Sequence, residues 1–256
     1  YEPHEIEGRT AESYYPQSKD RDAFKAAIQQ TGEVSDFPGQ MVRRDGSVID
    51  ISISSHALFD HNGNFAGVEG IYRDVTQRKN LERELQRLAT TDRLTGAWNR
   101  HYFEEAVTAE IERAARYGEP VSLLLFDVDL FKGINDAHGH LVGDQVLVEL
   151  TRRIQAHLRA LDVLARWGGE EFVVLLPHTG GDAAVTLAEK LRQRVADGPF
   201  PTVGQVTASF GVAAFQPQET AARWLKRVDD ALYAAKAGGR NQVCRAETVL
   251  TGGNGD

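Results

Sequence analysis

The sequence predicts an α+β protein: a mixed sheet covered by helices, preceded by a small antiparallel meander and a helical linker. Three observations carry this. Residues 40–75 read as strands joined by tight turns, residues 77–91 read as one charged helix without Gly or Pro, and from residue 99 onward helical and strand patterns alternate.

Each element follows from its own residues. The stretch 20–31, "DRDAFKAAIQQT", reads as a helix that Asp20 can cap, with Phe24 and Ile28 on one face. "QMVRR" and "SVIDISISSHALF" are separated by Asp45-Gly46, a strong hairpin signal. Ile49, Ile51 and Ile53 alternate with Asp50, Ser52 and Ser54, as in a half-buried strand. The turn "DHNGN" leads to a third strand, "FAGVEGIYRDV".

The helix at 77–91 places Leu81, Leu85 and Leu88 on one stripe. That spacing suits either a coiled coil or a helix lying on its own domain. Then come helix "NRHYFEEAVTAEIERAARYG", strand "VSLLLFDVDLF", a turn rich in Gly, Asn and His, and helix "GDQVLVELTRRIQAHLRA". Strands "DVLARW" and "FVVLLP" flank a GG turn, so they must be antiparallel. Helix 182–197, strand "VTASFGVAAF", helix 219–237 and strand "NQVCRAETVL" complete the chain, and helical crossovers allow parallel neighbours. The expected organisation is a meander unit at 1–76, a helical linker at 77–91, a larger domain at 92–250 and a disordered tail at 251–256.

Composition narrows the function classes. The 256 residues suffice for two domains, and 41% hydrophobic with 26% charged residues is ordinary for a globular protein. A net charge of −8 argues against nucleic-acid polymers and anionic membranes as partners. It leaves room for a single nucleotide, where a few lysines and a metal supply local positive charge. Cys244 is the sole cysteine, so no intramolecular disulfide forms, which fits a reducing, cytoplasmic setting. No apolar run approaches the ~20 residues of a membrane span. The chain opens on Tyr1 rather than Met, so a fragment of a longer protein is expected.

Chemistry concentrates in a few places. "RWGGEEF" sets Gly168 and Gly169 beside Glu170 and Glu171. Both glycines can take positive φ, as a primed two-residue turn asks, and the glutamates then adjoin a strand whose side chains alternate. Solvated carboxylates at a turn are the bland alternative. A second acidic pair weighs against it: Asp127 and Asp129 end an apolar run that reads as a central strand, and alternation puts them on one face. Carboxylates there are costly unless paired or bound to a cation, and oxygen-only ligands suit Mg²⁺ or Mn²⁺.

Downstream, Asn135 offers an amide and Asp144 an acceptor suited to a guanine edge, although a turn residue and a helix cap are the plain alternatives. Lys236 and Arg240 flank the Gly238-Gly239 stop of a helix. They suit either the helix dipole or a triphosphate.

Together these segments resemble the GGDEF-domain diguanylate cyclases, with Glu at the third signature position. The resemblance rests on "DRLTGAWNR", "DVDLFKGINDAHGHLVGD", "RWGGEEF", "SFGV" and "YAAKAGGRN" in the family's order, and covers roughly residues 88–247. Residues 1–76 resemble the second half of a PAS sensor domain through "RRDGSVIDISIS" and "DHNGNFAGVEGIYRDVT".

The resemblance implies condensation of two GTP into cyclic di-GMP, with two pyrophosphates released and two such domains facing each other as a homodimer. It implies that Asp127, Glu171 and the Val128 carbonyl hold Mg²⁺ or Mn²⁺, with Glu170 as candidate base or further ligand. It implies that Asn135 and Asp144 read guanine. It implies that backbone amides near Leu130 and Phe131, with Lys132, Lys236 and Arg240, hold phosphates, and that His140 lies by the same pocket. "RALD", Arg159 to Asp162, matches the family's R-x-x-D product-inhibition site; a helper arginine often seen in the following helix is Lys190 here, which cannot fork onto a phosphate. Trp167 stands where the family commonly has Tyr.

A domain that binds GTP or cyclic di-GMP without turnover is the alternative. Such domains usually lose the signature glutamates or the strand-end aspartate, whereas Asp127, Glu170, Glu171, Asn135, Asp144 and Lys236 are all present. His56 and His61 read as isolated surface residues.

Overall fold

The structure, a computed structural model, describes residues 3–17 and 19–247. The expected tail at 251–256 and residues 248–250 of the expected last strand lie outside the described residues. The chain divides into two units, Tyr1–Arg87 and Leu88–Asp256.

The first unit opens with α1 (Pro3–Ile6), a 3-10 turn (Ala11–Tyr14) and α2 (Asp20–Thr31). Three antiparallel strands follow in chain order: β1 (Glu33–Val42), β2 (Val48–Phe59) and β3 (Phe65–Asp74). Phe24 and Ile28 of α2 pack on Ile51 and Ile53 of β2, forming this unit's small core. Lys19, not Asp20, occupies the N-cap of α2; the Asp20 carboxylate instead accepts from the Gln17 amide at 3.1 Å.

β1 starts seven positions earlier than the sequence pattern suggests, running through Pro38. An edge strand tolerates a proline, and a bulge at Asp36, with φ 51°, absorbs the irregularity. Asp50 is a further departure. It is buried and accepts from Lys79 and Arg83, each at 3.2 Å. That anchors the start of α3 (Thr76–Thr90), a helix with no buried residue, which leaves Leu81 58% and Leu85 66% exposed.

The second unit contains α4 (Arg100–Tyr117), β4 (Ser122–Val128), α5 (Phe131–His138), α6 (His140–Gln155), β5 (Val163–Gly168) and β6 (Glu171–Leu176). It continues with α7 (Gly181–Ala196), β7 (Ala208–Ala214), α8 (Ala221–Ala237) and β8 (Val243–Arg245). The sheet order is β5-β6-β4-β7-β8, with only β7 and β8 parallel.

Every residue of β4 is buried, because helices cover both faces. Leu124, Phe126 and Val128 point to the layer holding Leu147 and Leu150 of α6, where Phe126 stacks between Phe172 and Phe210 at centroid distances of 5.4 and 4.8 Å. Leu123 and Leu125 point to the layer of Phe103 from α4 and Trp224 and Leu232 from α8. Gly211 of β7 lets α8 approach closely: a Cβ there would collide with the Val228 carbonyl and the Leu232 amide, both backbone.

Two local readings are corrected. The stretch expected as a turn between the strand ending at 131 and the next helix is largely α5. Its polar residues favour turns in isolation, but Phe131 and Ile134, three apart, share a face that packs on the core. The strand itself stops at Val128, since Leu130 adopts a left-handed φ of 57° and turns the chain. Asp129 therefore lies beyond the strand, but its carboxylate bonds Ser209, the cross-strand partner of Asp127, so both aspartates turn to the α8 side of the sheet.

Candidate active site

The site grows from the C-terminal end of β4. There Asp127 lies opposite Glu171 on β6 and opposite Ser209 on β7. Cross-strand partners have Cα atoms about 4.5–5.5 Å apart, so the two carboxylates are immediate neighbours. Both belong to the rows of Leu125 and Val173, which face the layer of α4 and α8.

From that layer Lys236, in the last turn of α8, donates to Asp127 Oδ2 at 2.9 Å. Asp127 is only 7% exposed. Burial pushes its carboxyl up, the Lys236 hydrogen bond and charge pull it down, and the charges of Glu170 and Glu171 push it up again, leaving it at about 6.

The β5–β6 hairpin sets the glutamates. Gly168 pairs with Glu171, so the two loop residues are Gly169 and Glu170, not the two glycines. Only Gly169 takes positive φ, at 51°, which corrects the expectation of a turn with both glycines left-handed. Glu171 is thus a strand residue, while Glu170 stands at the tip. A Cβ at Gly168 would meet nothing within 4 Å and its φ is ordinary, so neither backbone strain nor packing within this chain calls for glycine there.

Arg166 braces the hairpin. Its Nε donates to the Gly169 carbonyl at 2.9 Å, and an Nη donates to both Asp92 oxygens at 3.2 and 3.3 Å. Asp92 also accepts from the Thr95 amide and hydroxyl, at 2.9 and 2.7 Å. The "DRLTG" loop is thereby fastened to the "GGEE" turn, a link between two segments 74 residues apart in sequence. Sequence reasoning missed both residues, although each sits inside a motif it had singled out. Trp167 packs edge-on against Phe103, at 5.6 Å, and beneath the Arg100 guanidinium at 4.3 Å.

Asn135 and Asp144 ride on α5 and α6, which cover the opposite face of the sheet, and neither bonds to the acidic group. Asn135 Oδ1 is buried without a hydrogen-bond partner, an arrangement native proteins rarely leave standing. Gly143 makes it possible: a Cβ at that position would collide with Asn135 Oδ1. Asp144 is half-buried in α6 and does not cap it. Phe131 is core, whereas Leu130, Lys132 and His140 are exposed around the start and end of α5. The first amides of a helix lack acceptors within it, so those near Leu130 and Phe131 are available to an anion. Arg240 is exposed, with a left-handed φ of 65°.

Arg159 and Asp162 form a compact turn in which the Asp162 carboxylate accepts from the Arg159 amide at 2.8 Å. No ion pair joins their side chains among the described residues. They line a cleft of about 270 Å³ with Trp98, Gln155, Leu158 and Leu164. Lys190 is exposed on α7.

Among the described residues no group of three or more His, Cys, Asp and Glu side chains is arranged to hold a metal. The donor chemistry nevertheless fits a hard divalent cation: an oxygen-only set in which burial first, and then the charges of Glu170 and Glu171, push the Asp127 carboxyl up.

A family model described as "Diguanylate cyclase, GGDEF domain" matches residues 89–242, and one described as "PAS fold" matches residues 1–80. The chain is 44% identical over 172 residues to the response regulator PleD of Caulobacter vibrioides, covering 65% of this chain and 38% of that protein. It resembles the crystal structure of the coiled coil and GGDEF domain of DgcB from Caulobacter crescentus in complex with c-di-GMP. That match has a TM-score of 0.64 and 32% identity, over 67% of this chain and 93% of the other. It also resembles the active GGEEF domain of a diguanylate cyclase from Vibrio cholerae. Here the TM-score is 0.53 and the identity 37%, over 55% of this chain and 91% of the other. The chain thus spans well under half the length of PleD. With the family model covering residues 89–242 and the sheet, hairpin and acidic strand end all in place, the chain belongs to the GGDEF-domain diguanylate cyclase family.

Proposed function

We propose that this chain condenses two GTP into cyclic di-GMP. Each GGDEF unit holds one GTP, and two units meet as a homodimer. In each half-reaction the 3′-oxygen of one GTP forms a bond to the α-phosphorus of the other. The bond from that phosphorus to the bridging oxygen breaks, and pyrophosphate leaves. The observation that carries this reading is the cross-strand pair Asp127–Glu171 at the end of a buried strand, with Lys236 on Asp127.

Asp127, Glu171 and the Val128 carbonyl would hold Mg²⁺ or Mn²⁺, which when bound makes the 3′-hydroxyl more acidic and offsets developing charge. Glu170, at the hairpin tip, takes the 3′-proton or adds a ligand. Gly168, unexplained by this chain's own packing, leaves space for a nucleotide against the hairpin. The unpartnered Asn135 Oδ1 accepts from the guanine base, and Asp144 accepts from its N–H edge. The amides near Leu130 and Phe131, with Lys132, Lys236 and Arg240, hold the triphosphate, and His140 borders it. Arg159 and Asp162 bind cyclic di-GMP as inhibitor, a role supported by their shared cleft.

Residues 1–76 act as a PAS regulatory unit and 77–91 as the linker, on a catalytic domain at 92–250. The exposed Leu81 and Leu85 support pairing through that linker. No helix among the described residues is long and apolar enough to cross a membrane.

Purified chain incubated with GTP and Mg²⁺ should yield cyclic di-GMP on chromatography, and Glu171→Gln should abolish product while leaving the melting curve cooperative. A chain that binds GTP yet makes no product, even when dimerised by a fused zipper, would favour a receptor over an enzyme.

A further inference from the structure

Asp129 is the one acidic residue of the "DVD" strand end that the proposed reaction does not use. It is 8% exposed and fully engaged. Oδ1 accepts from Ser209 Oγ at 2.6 Å, and Oδ2 accepts from Thr207 Oγ1 at 2.7 Å and from the backbone amide of Asn241 at 3.0 Å. Its own amide donates to the Thr207 carbonyl at 2.9 Å, which pins the carboxylate's base.

The bond to Asn241 reaches across 112 positions of sequence to the turn that follows α8. That turn is unusual. Arg240 and Asn241 are both left-handed, with φ of 65° and 47°, and neither is glycine. Consecutive residues in that region persist only where the surroundings hold them. Three bonds do so here: Asp129 on the Asn241 amide, the Arg192 guanidinium on Asn241 Oδ1 at 2.7 Å, and the Arg240 amide on the Ala235 carbonyl at 3.1 Å. Asp129 alone clamps the main chain directly after Arg240 to the end of β4. The two aspartates thus grip the same helix end by different means: Asp127 through the Lys236 side chain, Asp129 through the backbone beyond it.

We infer that Asp129 is a positioning residue, a strut that fixes the Arg240–Asn241 turn and so the direction in which Arg240 meets the phosphates of bound nucleotide. This rests on the nucleotide reading above, and it assigns Asp129 no contact with substrate or metal. The negative charge strengthens all three bonds. Asp129→Asn keeps the volume and can place its amide oxygen at the Oδ2 position, but the bonds to Thr207 and Asn241 are then neutral and its N–H₂ leaves the Ser209 hydroxyl to accept rather than donate.

The test is calorimetric titration of the full chain with the α,β-methylene analogue of GTP in Mg²⁺, using wild type, Asp129→Asn, Arg240→Ala and the double variant. Chemical-shift titration with guanosine, which lacks phosphates, runs in parallel. Asp129→Asn should weaken the analogue about tenfold, the scale of one charge-assisted contact, and leave guanosine unchanged. It should add little to Arg240→Ala. Hydrogen exchange at the Asn241 amide should quicken in Asp129→Asn. Wild-type binding of the analogue that Asp129→Asn leaves unchanged would overturn the strut alone, as would losses that add fully in the double variant. An equal loss for guanosine would overturn it too, showing general loosening instead. No binding of either probe by wild type would overturn the nucleotide reading and this one with it.

Discussion

Arg166 and Asp92 join the glutamate turn to the loop before α4: one Nη of the arginine sits 3.2 Å from a carboxylate oxygen of the aspartate while its Nε holds the Gly169 carbonyl at 2.9 Å. Both side chains are mostly buried, at 17% and 23% exposed, so solvent weakens the pair less than a surface bridge. The bridge fixes the strand leading into the glutamate turn against the loop that precedes α4.

Removing that brace should be felt in both stability and turnover. Arg166→Ala is expected to cost about 1.5–3 kcal/mol in urea unfolding, the range for a hydrogen-bonded charge. It should lower product formation well beyond what the lost folded fraction explains. A double-variant cycle with Asp92→Asn measures the shared part, and strictly additive losses would contradict the coupling.

The same pair sets an acid dependence. Burial pushes the Asp92 carboxyl up, but the Thr95 hydroxyl and amide and the Arg166 guanidinium outweigh it and hold it below the usual value of 3.8. Its contribution is therefore complete above about pH 4 and is lost as pH falls through the lower folded-state value. Melting curves of wild type and Asp92→Asn should lie apart at pH 6 and converge as pH drops toward 2. A gap that persists undiminished would show that the carboxylate charge is not the source.

Divalent cation should stabilise the wild-type chain selectively. Asp127 and Glu171 are register neighbours with Glu170 beside them, so a bound cation relieves their mutual repulsion. Millimolar MgCl₂ is expected to raise the melting temperature of wild type by a few degrees and to leave Asp127→Asn near its metal-free value, as read by scanning fluorimetry with EDTA controls.

Gly211→Ala tests how α8 is placed. The new methyl would collide with backbone of Val228 and Leu232, which cannot rotate away. A loss of about 2 kcal/mol or more is expected, with α8 and its Lys236 pushed off the sheet and activity reduced in the remaining folded protein. A stability change under half a kcal/mol would show that α8 yields freely.

Two proposals about assembly and control have separate readouts. Leu81→Arg with Leu85→Arg should shift sedimentation toward monomer and reduce activity per chain, since both leucines are exposed on α3. Arg159→Ala should raise the cyclic di-GMP concentration needed to halve the rate while leaving the initial rate close to wild type; an unchanged inhibition curve would argue against the cleft at 159–162.

Much of the architecture was legible because local chemistry and packing agree. Alternation in "DISIS" put Ile51 and Ile53 inside, and the apolar run before Asp127 marked β4 as central. Two segments misled for physical reasons. "GINDAHG" has turn composition, yet Phe131 and Ile134 bury one side and make it α5. "DFPGQ" looks like a loop, yet an unpaired edge leaves room for Pro38 in β1.

Residue type and spacing along the chain were enough to mark out most of the strands and helices, and the positions of the glutamate turn and the acidic strand end, because those depend on periodicity and on the conformations that glycine permits. They were not enough to tell Asp127 from Asp129. One faces Lys236 and Glu171 and the other is captured by Thr207, Ser209 and Asn241, because a single left-handed residue, Leu130, ends the strand and because distant segments supply the donors. Which partner a carboxylate finds is decided by what the fold brings against it, and neighbours in sequence carry no information about that.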